Sequence, residues 1–436
     1  MWSIITGMSR FAWLPLLMLL SLPPAFPQIV DSPAAAVANI PVNYTESLAG
    51  NYKLPDPLVL TNGEKVKDPK TWFAKRRPEI LRLVEESQFG RSPAKPAKMS
   101  FDVFDKASAA LDGKATRRQV TIYFTADKHG PKMDLLLYLP AGAPKPVPVL
   151  LNISFTANSS AVADPGIRPG EVWNAKEKKR QPAASGRSFG RLNVSKFLDA
   201  GFGVATFYYG DVDPDFLGGI PDGIRSAYMK PGAEEPEPGE WGAIAAWAWG
   251  ASRALDYLET DTAVDAKRVA ITGVSRLGKT VLWAGARDTR FAMVIASCSG
   301  EGGAALSRRN YGETIAHLVA PGRYPYQFAG NYAKYGPHVD EFPVDSHMLL
   351  SLIAPRPLLL QTGNTDKWSD PYGEFLAAVA AAPVYRLLGR KEQLPDKMPP
   401  PGVPLLNPLG FLMHDGGHGT IPADWDVFLE FMKKYL

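Results

Sequence analysis

Along residues 68–86 apolar side chains recur at helical spacing, with Trp72, Ile80, Leu81 and Leu83 on one side and Lys, Arg and Glu on the other, which predicts a helix lying outside a sheet. Three strand-like runs follow at 99–104, 119–124 and 133–139, the last two divided by the polar turn Asp127, Lys128, His129, Gly130. Their spacing predicts an antiparallel start. Residues 147–153 are continuously apolar, as befits a strand buried on both faces. From there the pattern alternates: strand 202–208, helix 241–258, strand 268–272, helix 277–286, strand 291–296, a helix ending at 349–354, strand 357–361, helix 372–381 and a terminal helix 425–435. Such alternation predicts an α/β chain with a mostly parallel sheet and helices on both faces. Segments 158–187 and 320–342 are punctuated by Gly and Pro and read as loops on one rim.

Composition narrows the class. The chain has 436 residues, enough for one elaborated α/β domain, taken as residues 53–436. A formal charge of +4 gives no footprint for nucleic acid, and 45% hydrophobic residues exclude a disordered chain. The single cysteine, Cys298, excludes an intrachain disulfide and a Cys-based zinc site. At the N-terminus one Arg within residues 1–10 precedes an apolar run at 11–22 and small residues, which reads as a signal peptide over 1–26. Its apolar core is short of the ~20 residues of a membrane span. The expectation is therefore a secreted or periplasmic bacterial protein with no stable membrane insertion after cleavage. Residues 27–52 read as a flexible leader.

Residues 268–280, RVAITGVSRLGKT, carry the chemistry. An apolar strand runs through Gly273 and Ser275 into a helix, and two motifs fit the same letters. One is the phosphate-cradling GxxxxGK[ST] loop, from Gly273 to Thr280. The other is a nucleophile elbow, although its second glycine, Gly278, comes three residues after Ser275 rather than two. Three observations weigh against the phosphate loop. No later apolar strand ends in the acid that would organise magnesium. The export signal points away from nucleoside triphosphate. A late His414, Asp415, Gly416, Gly417, His418, Gly419 segment suits instead the order serine, acid, histidine of an α/β-hydrolase three-layer sandwich.

GVSRLGKT resembles the GCSRxGK signature of the glucuronoyl esterases, carbohydrate esterase family 15. SGEGGAALSRRNYGE at 299–313, GNY at 330–332, APRPLLL at 354–360, TDKWSDPYGEF at 365–375 and GGHG at 416–419 extend the resemblance, which runs from about Leu54 to the C-terminus. It implies an α/β-hydrolase cleaving esters between 4-O-methyl-glucuronic acid on glucuronoxylan and alcohols, lignin alcohols included. It also implies that the Arg276 guanidinium helps hold the oxyanion, that Lys279 serves sugar hydroxyls, and that Glu313 and Trp368 bind the uronate.

The residues themselves support such a mechanism. A serine hydroxyl needs a base within hydrogen-bond reach and a carboxylate to orient that base. Ser275 is the nucleophile and His418 the base; His414, His347, His338, His317 and His129 lack the Gly-Gly-His setting and read as structural. The backbone N–H of Arg276 can meet an oxyanion. A cation at a helix start is unfavourable, so its presence favours function. The acid stays open between two positions. Some relatives hold it after the strand following the nucleophile helix, where this chain has Cys298, so Asp366 is the expected acid and Glu301 the alternative. Asp370, followed by Pro371, reads as a helix N-cap. No metal or cofactor is required. An acetyl xylan esterase would not need Lys279, Glu313 and Trp368 together, and a non-catalytic sugar-binding relative would not need both nucleophile and base.

Overall fold

In the computed structural model, which describes Met1 and residues 34–183, 192–233, 235–391 and 394–436, the first three strands of the sheet are antiparallel. They are β1 (Ser100–Ala110), β2 (Ala115–Tyr123) and β3 (Lys132–Pro140). Six more follow: β4 (Val147–Ser154), β5 (Gly203–Tyr208), β6 (Val264–Val274), β7 (Met293–Ser297), β8 (Leu358–Gly363) and β9 (Leu409–His414). They form one 9-stranded sheet in the order β1-β2-β3-β5-β4-β6-β7-β8-β9. All pairings from β5 onward across β4 to β9 are parallel. The parallel run therefore delivers the carboxyl ends of β5, β6, β7, β8 and β9 to one edge.

Successive residues of the parallel strands feed two cores, because side chains alternate across a sheet. Val149, Leu151 and Ile153 of β4 and Val269 and Ile271 of β6 pack on one face, whereas Leu150 and Ala270 pack on the other. The first face is covered by α1 (Arg77–Val84), α3 (Ala243–Leu258), α4 (Arg276–Arg287), α5 (Ser346–Ser351) and α6 (Pro371–Leu387). The second is covered by α2 (Val194–Asp199) and α7 (Pro422–Tyr435), through Phe197, Trp425, Phe428, Phe431 and Met432. Each such large apolar side chain stabilises the fold by roughly 1.5–3 kcal/mol. Because both faces are covered, the strands read as continuous apolar runs. Among the described residues no helix is long and apolar enough to cross a membrane.

Some expectations shift. Strand β9 is not among the strands expected from the sequence, and the rim segment 158–187, read as a loop, contains a hairpin, Glu171–Asn174 with Lys179–Pro182. The end of that segment, the signal peptide over 1–26 and residues 27–33 of the leader lie outside the described residues. From Ala34 the leader, expected to be flexible, has defined contacts: Ala36–Val37 pairs with Ile40–Pro41, Gly312 N donates to Asn43 O at 2.9 Å, and Asn310 N donates to Ala49 O at 3.1 Å. Backbone pairing of this kind leaves no hydrophobic periodicity to read.

The link from β6 to α4 is a sharp turn at Ser275, held at φ 60° and ψ −127°. A non-glycine residue there is strained, which requires close support from its surroundings. Ser275 N donates to Ser297 O at the end of β7, 2.8 Å away. A Cβ on Gly273 would stand 2.6 Å from Leu277 O, and one on Gly278 would stand 2.6 Å from Ser297 O and 3.1 Å from Ser299 Cβ. The second glycine thus falls three residues after Ser275 because that is where α4 crosses the end of β7; position 277 faces the core as Leu277. Alanine at position 278 gains about 1 kcal/mol of helix propensity, yet overpacking costs roughly 1–3 kcal/mol when the neighbour is backbone. Gly278→Ala is expected to lower Tm in calorimetry, and an unchanged or higher Tm would contradict this packing.

Candidate active site

Four strand ends supply the site. Ser275 follows β6, Cys298 follows β7, the segment 364–370 follows β8, and the His loop follows β9. With the short helix Ile315–Val319 and the 3-10 turn Pro325–Gln327, they surround a cavity of about 350 Å³ lined by Ser275, Arg276, Lys279, Glu313, Trp368 and His418, among others.

The half-buried His418 places Nδ1 2.7 Å from Oδ2 of the fully buried Asp366. Ser369 Oγ lies 3.3 Å from the same nitrogen. The Asp366 carboxylate accepts a hydrogen bond from Nδ1–H, which leaves Nε2 as the basic nitrogen of the neutral ring. Burial works to raise the Asp366 pKa, but His418 and the bonds from His418 and Ser369 outweigh it and hold the carboxyl below its usual range. Asp366 is itself fixed at the start of the turn Lys367–Ser369.

Glu301, the alternative acid, is placed elsewhere. Its Oε1 accepts from Ser307 Oγ at 2.7 Å and from Tyr332 OH at 2.9 Å, and it is not among the residues lining the cavity. Burial, opposed by the bond from Ser307, pushes its pKa up to about 8, so it is neutral near pH 7. Asp370 caps α6, accepting from Gly373 N at 3.0 Å. Cys298, fully buried, receives Gly419 N on its sulfur at 3.3 Å, with the thiol 3.4 Å from Gly419 O. Burial and the nearby Asp366 raise its pKa well above the ordinary thiol value, so it is a thiol and not a thiolate. Its contact ties the end of β7 to the residue after His418. His414 holds Asp424 and Gly417 O, at 2.8 and 2.9 Å, and so braces the same loop from below.

Arg276 is not a surface cation. Its Nη1 binds Asp215, and its guanidinium lies 4.8 Å from the Tyr324 ring centre. Asp215 also accepts from Tyr209 OH at 2.8 Å, Tyr326 OH at 2.9 Å and Gln327 Nε2 at 2.7 Å. Burial alone would lower the Arg276 pKa, but Asp215 and the surrounding tyrosines raise it, so the charge is permanent. Neither Asp215 nor its tyrosine and glutamine partners emerged from the sequence reading. The signal was present in the acidic run Asp211, Asp213, Asp215 directly after β5, at the carboxyl edge where an α/β sheet collects its ligands.

Lys279 is buried, and Nζ donates to Ser299 O at 2.7 Å. Burial lowers its pKa against the opposing pull of Glu313. Glu313 receives Arg323 Nη2 at 3.0 Å, and its backbone N donates to Trp368 O at 2.9 Å. The Trp368 ring meets His317 edge-on, 5.4 Å between centroids. The structure thus brings Ser275, Arg276, Lys279, Glu313, Trp368 and His418 to one cavity, with Asp366 behind His418, and leaves Glu301 apart. This arrangement can deprotonate a hydroxyl, stabilise negative charge at an acyl oxygen and offer polar and aromatic groups to a sugar.

The family described as "Glucuronyl esterase, fungi" matches residues 237–389. The chain is similar to "Carbohydrate esterase MZ0003" from an unknown prokaryotic organism, 44% identical over 402 residues that cover 90% of this chain and 92% of that one. It is also similar to "4-O-methyl-glucuronoyl methylesterase 1" of Wolfiporia cocos, 29% identical over 87% of this chain and 82% of the relative. Among solved structures, the glucuronoyl esterase from Solibacter usitatus superposes with a TM-score of 0.85 at 48% identity, covering 89% of this chain and 99% of that one. At these identities and coverages this chain, an α/β-hydrolase and a carboxylic ester hydrolase, belongs to the glucuronoyl esterases of carbohydrate esterase family 15.

Proposed function

We propose that the protein is a serine esterase that cleaves the ester between a (4-O-methyl-)glucuronic acid of glucuronoxylan and an alcohol, lignin alcohols included, through an acyl-enzyme. The observation that carries this reading is the 2.7 Å contact between His418 Nδ1 and Asp366, beside a strained Ser275, in a cavity that also presents Lys279, Glu313 and Trp368. Ser275 Oγ attacks the ester carbonyl while His418 Nε2 takes its proton and then returns it to the departing alcohol. Water, activated by the same nitrogen, then attacks the acyl-enzyme and releases the uronic acid and Ser275. Asp366 fixes the ring and stabilises its cationic form. The backbone N–H of Arg276 and its guanidinium meet the oxyanion. Because the substrate acid is esterified and neutral, recognition falls on ring hydroxyls, which suit Lys279 and Glu313, and on the sugar face, which suits Trp368. Residues 53–436 serve as one catalytic domain around one sheet, and residues 1–26 export it, which suits a polymer met outside the cytoplasm.

Ser275→Ala should lower kcat on a benzyl glucuronate ester by about 10⁴-fold or more; persistence of full activity would refute the mechanism. Asp366→Ala should cost about 10²–10⁴-fold in kcat and Glu301→Ala far less, and the opposite ranking would transfer the acid's role to Glu301. Comparing the glucuronate ester with the galacturonate ester and with acetylated xylan tests the substrate: equal rates on uronate and acetyl esters would contradict it. Asp215→Asn retains the shape around Arg276 but removes its counter-charge. Removing an oxyanion donor costs about 10²–10³-fold, so a loosened one should cost roughly tenfold in kcat with little change in KM. Unaltered kcat would show that Asp215 does not hold Arg276 in place.

A further inference from the structure

The cavity has a wall from a distant part of the chain. Ala34, Val37 and Tyr44 line it together with Glu313 and Trp368. These three residues belong to a strap, 34–49, that is held from two sides. On one side the backbone pairs with the loop that carries Glu313: Asn43 Nδ2 donates to Asn310 O at 2.6 Å, beside the Gly312 and Asn310 bonds to Asn43 and Ala49. On the other, His317 accepts Thr314 N on Nδ1 at 3.1 Å, so Nε2 carries the proton and donates to Ile40 O at 3.3 Å. The same imidazole meets the Trp368 ring edge-on. The strap is therefore joined to both groups expected to hold the sugar through one residue each, Gly312 beside Glu313 and His317 against Trp368.

One ion pair closes this layer. Arg309, its side chain only 3% exposed, makes a two-pronged contact with Glu46 of the strap, with Nη1 2.8 Å from Oε1, and its Nε donates to Asp370 Oδ2 at 2.8 Å. Asp370 caps α6 two residues after Trp368. A planar guanidinium satisfied on two edges by two carboxylates is a rigid connector. The Glu46 end is 59% exposed, so it can be removed without opening the core.

We propose that the strap is the outer wall of the sugar-binding end of the cavity, latched there by Arg309, and that it sets affinity for the uronate ring. This inference rests on the reading of the cavity as a glucuronate ester site. Its contribution is to binding and not to the acyl transfer, because the strap supplies neither base nor oxyanion donor, and interactions made equally in ground and transition states appear in KM.

The test compares the full chain, Glu46→Ala, Val37→Asp and a chain lacking residues 2–50, on benzyl glucuronate ester and on 4-nitrophenyl acetate, which has no ring for the wall to hold. The truncated chain should show KM for the glucuronate ester raised about tenfold, Glu46→Ala and Val37→Asp about threefold, each with kcat within twofold. KM for the acetate should stay within twofold in all forms. KM for the glucuronate ester within twofold of the full chain in every variant would overturn the proposal, as would equal KM increases on both esters or a loss confined to kcat. If the truncated chain fails to fold by circular dichroism, the two point variants decide alone. A full chain inactive on the glucuronate ester but active on the acetate refutes the substrate reading instead, and is recognised before any variant is compared.

Discussion

Parallel strands end on the same side of their sheet, and that constraint places everything else. β6, β7, β8 and β9 are neighbours in register, so Ser275, Cys298, the Asp366 turn and the His418 loop are brought within side-chain reach by hydrogen-bonding alone. Helices on both faces then leave the edge as the one place where polar groups can gather without disturbing either core. The strain at Ser275 is affordable on these terms. It is supported by Ser297 O and by two glycines whose missing side chains let α4 and β7 approach.

The fold was legible because burial on two faces writes continuous apolar runs into the strands and helical periodicity into their covers. Residues 147–153 and 268–272 are found in β4 and β6, and the antiparallel opening holds. Ser275, Arg276 and His418 were visible because glycines must flank a strained turn and a close loop. What escaped the sequence was what depends on long-range pairing. Asp215 meets Arg276 across sixty-one positions, and Glu46 meets Arg309 across more than two hundred; neither separation has a local pattern. The acid was ambiguous for a related reason: Glu301 and Asp366 both follow strands that end at the site, and only the turn of the backbone after each strand decides which one meets His418.

Burial treats the charges around the cavity unequally. Asp366 and Arg276 retain theirs, the first through hydrogen bonds from His418 and Ser369 and the second through the Asp215 carboxylate. Glu301, and Glu374, whose Oε1 accepts from Ser299 Oγ and Gly300 N, are pushed up to about 8 by burial, and Lys279 is pulled down by it. Low dielectric amplifies both effects, the pull of a close partner and the penalty of burial.

Cys298 shows what this means for a single position. Its sulfur, an Asp366 oxygen and a His418 nitrogen all lie within 4.8 Å of one another. A carboxylate in place of the thiol would sit against Asp366, and like charges at that range raise the pKa of one of the two. The end of β7 and the end of β8 therefore compete for a single anionic seat. With Asp366 in that seat, the end of β7 is left with a neutral side chain, whose sulfur clasps Gly419 and so the loop that carries His418.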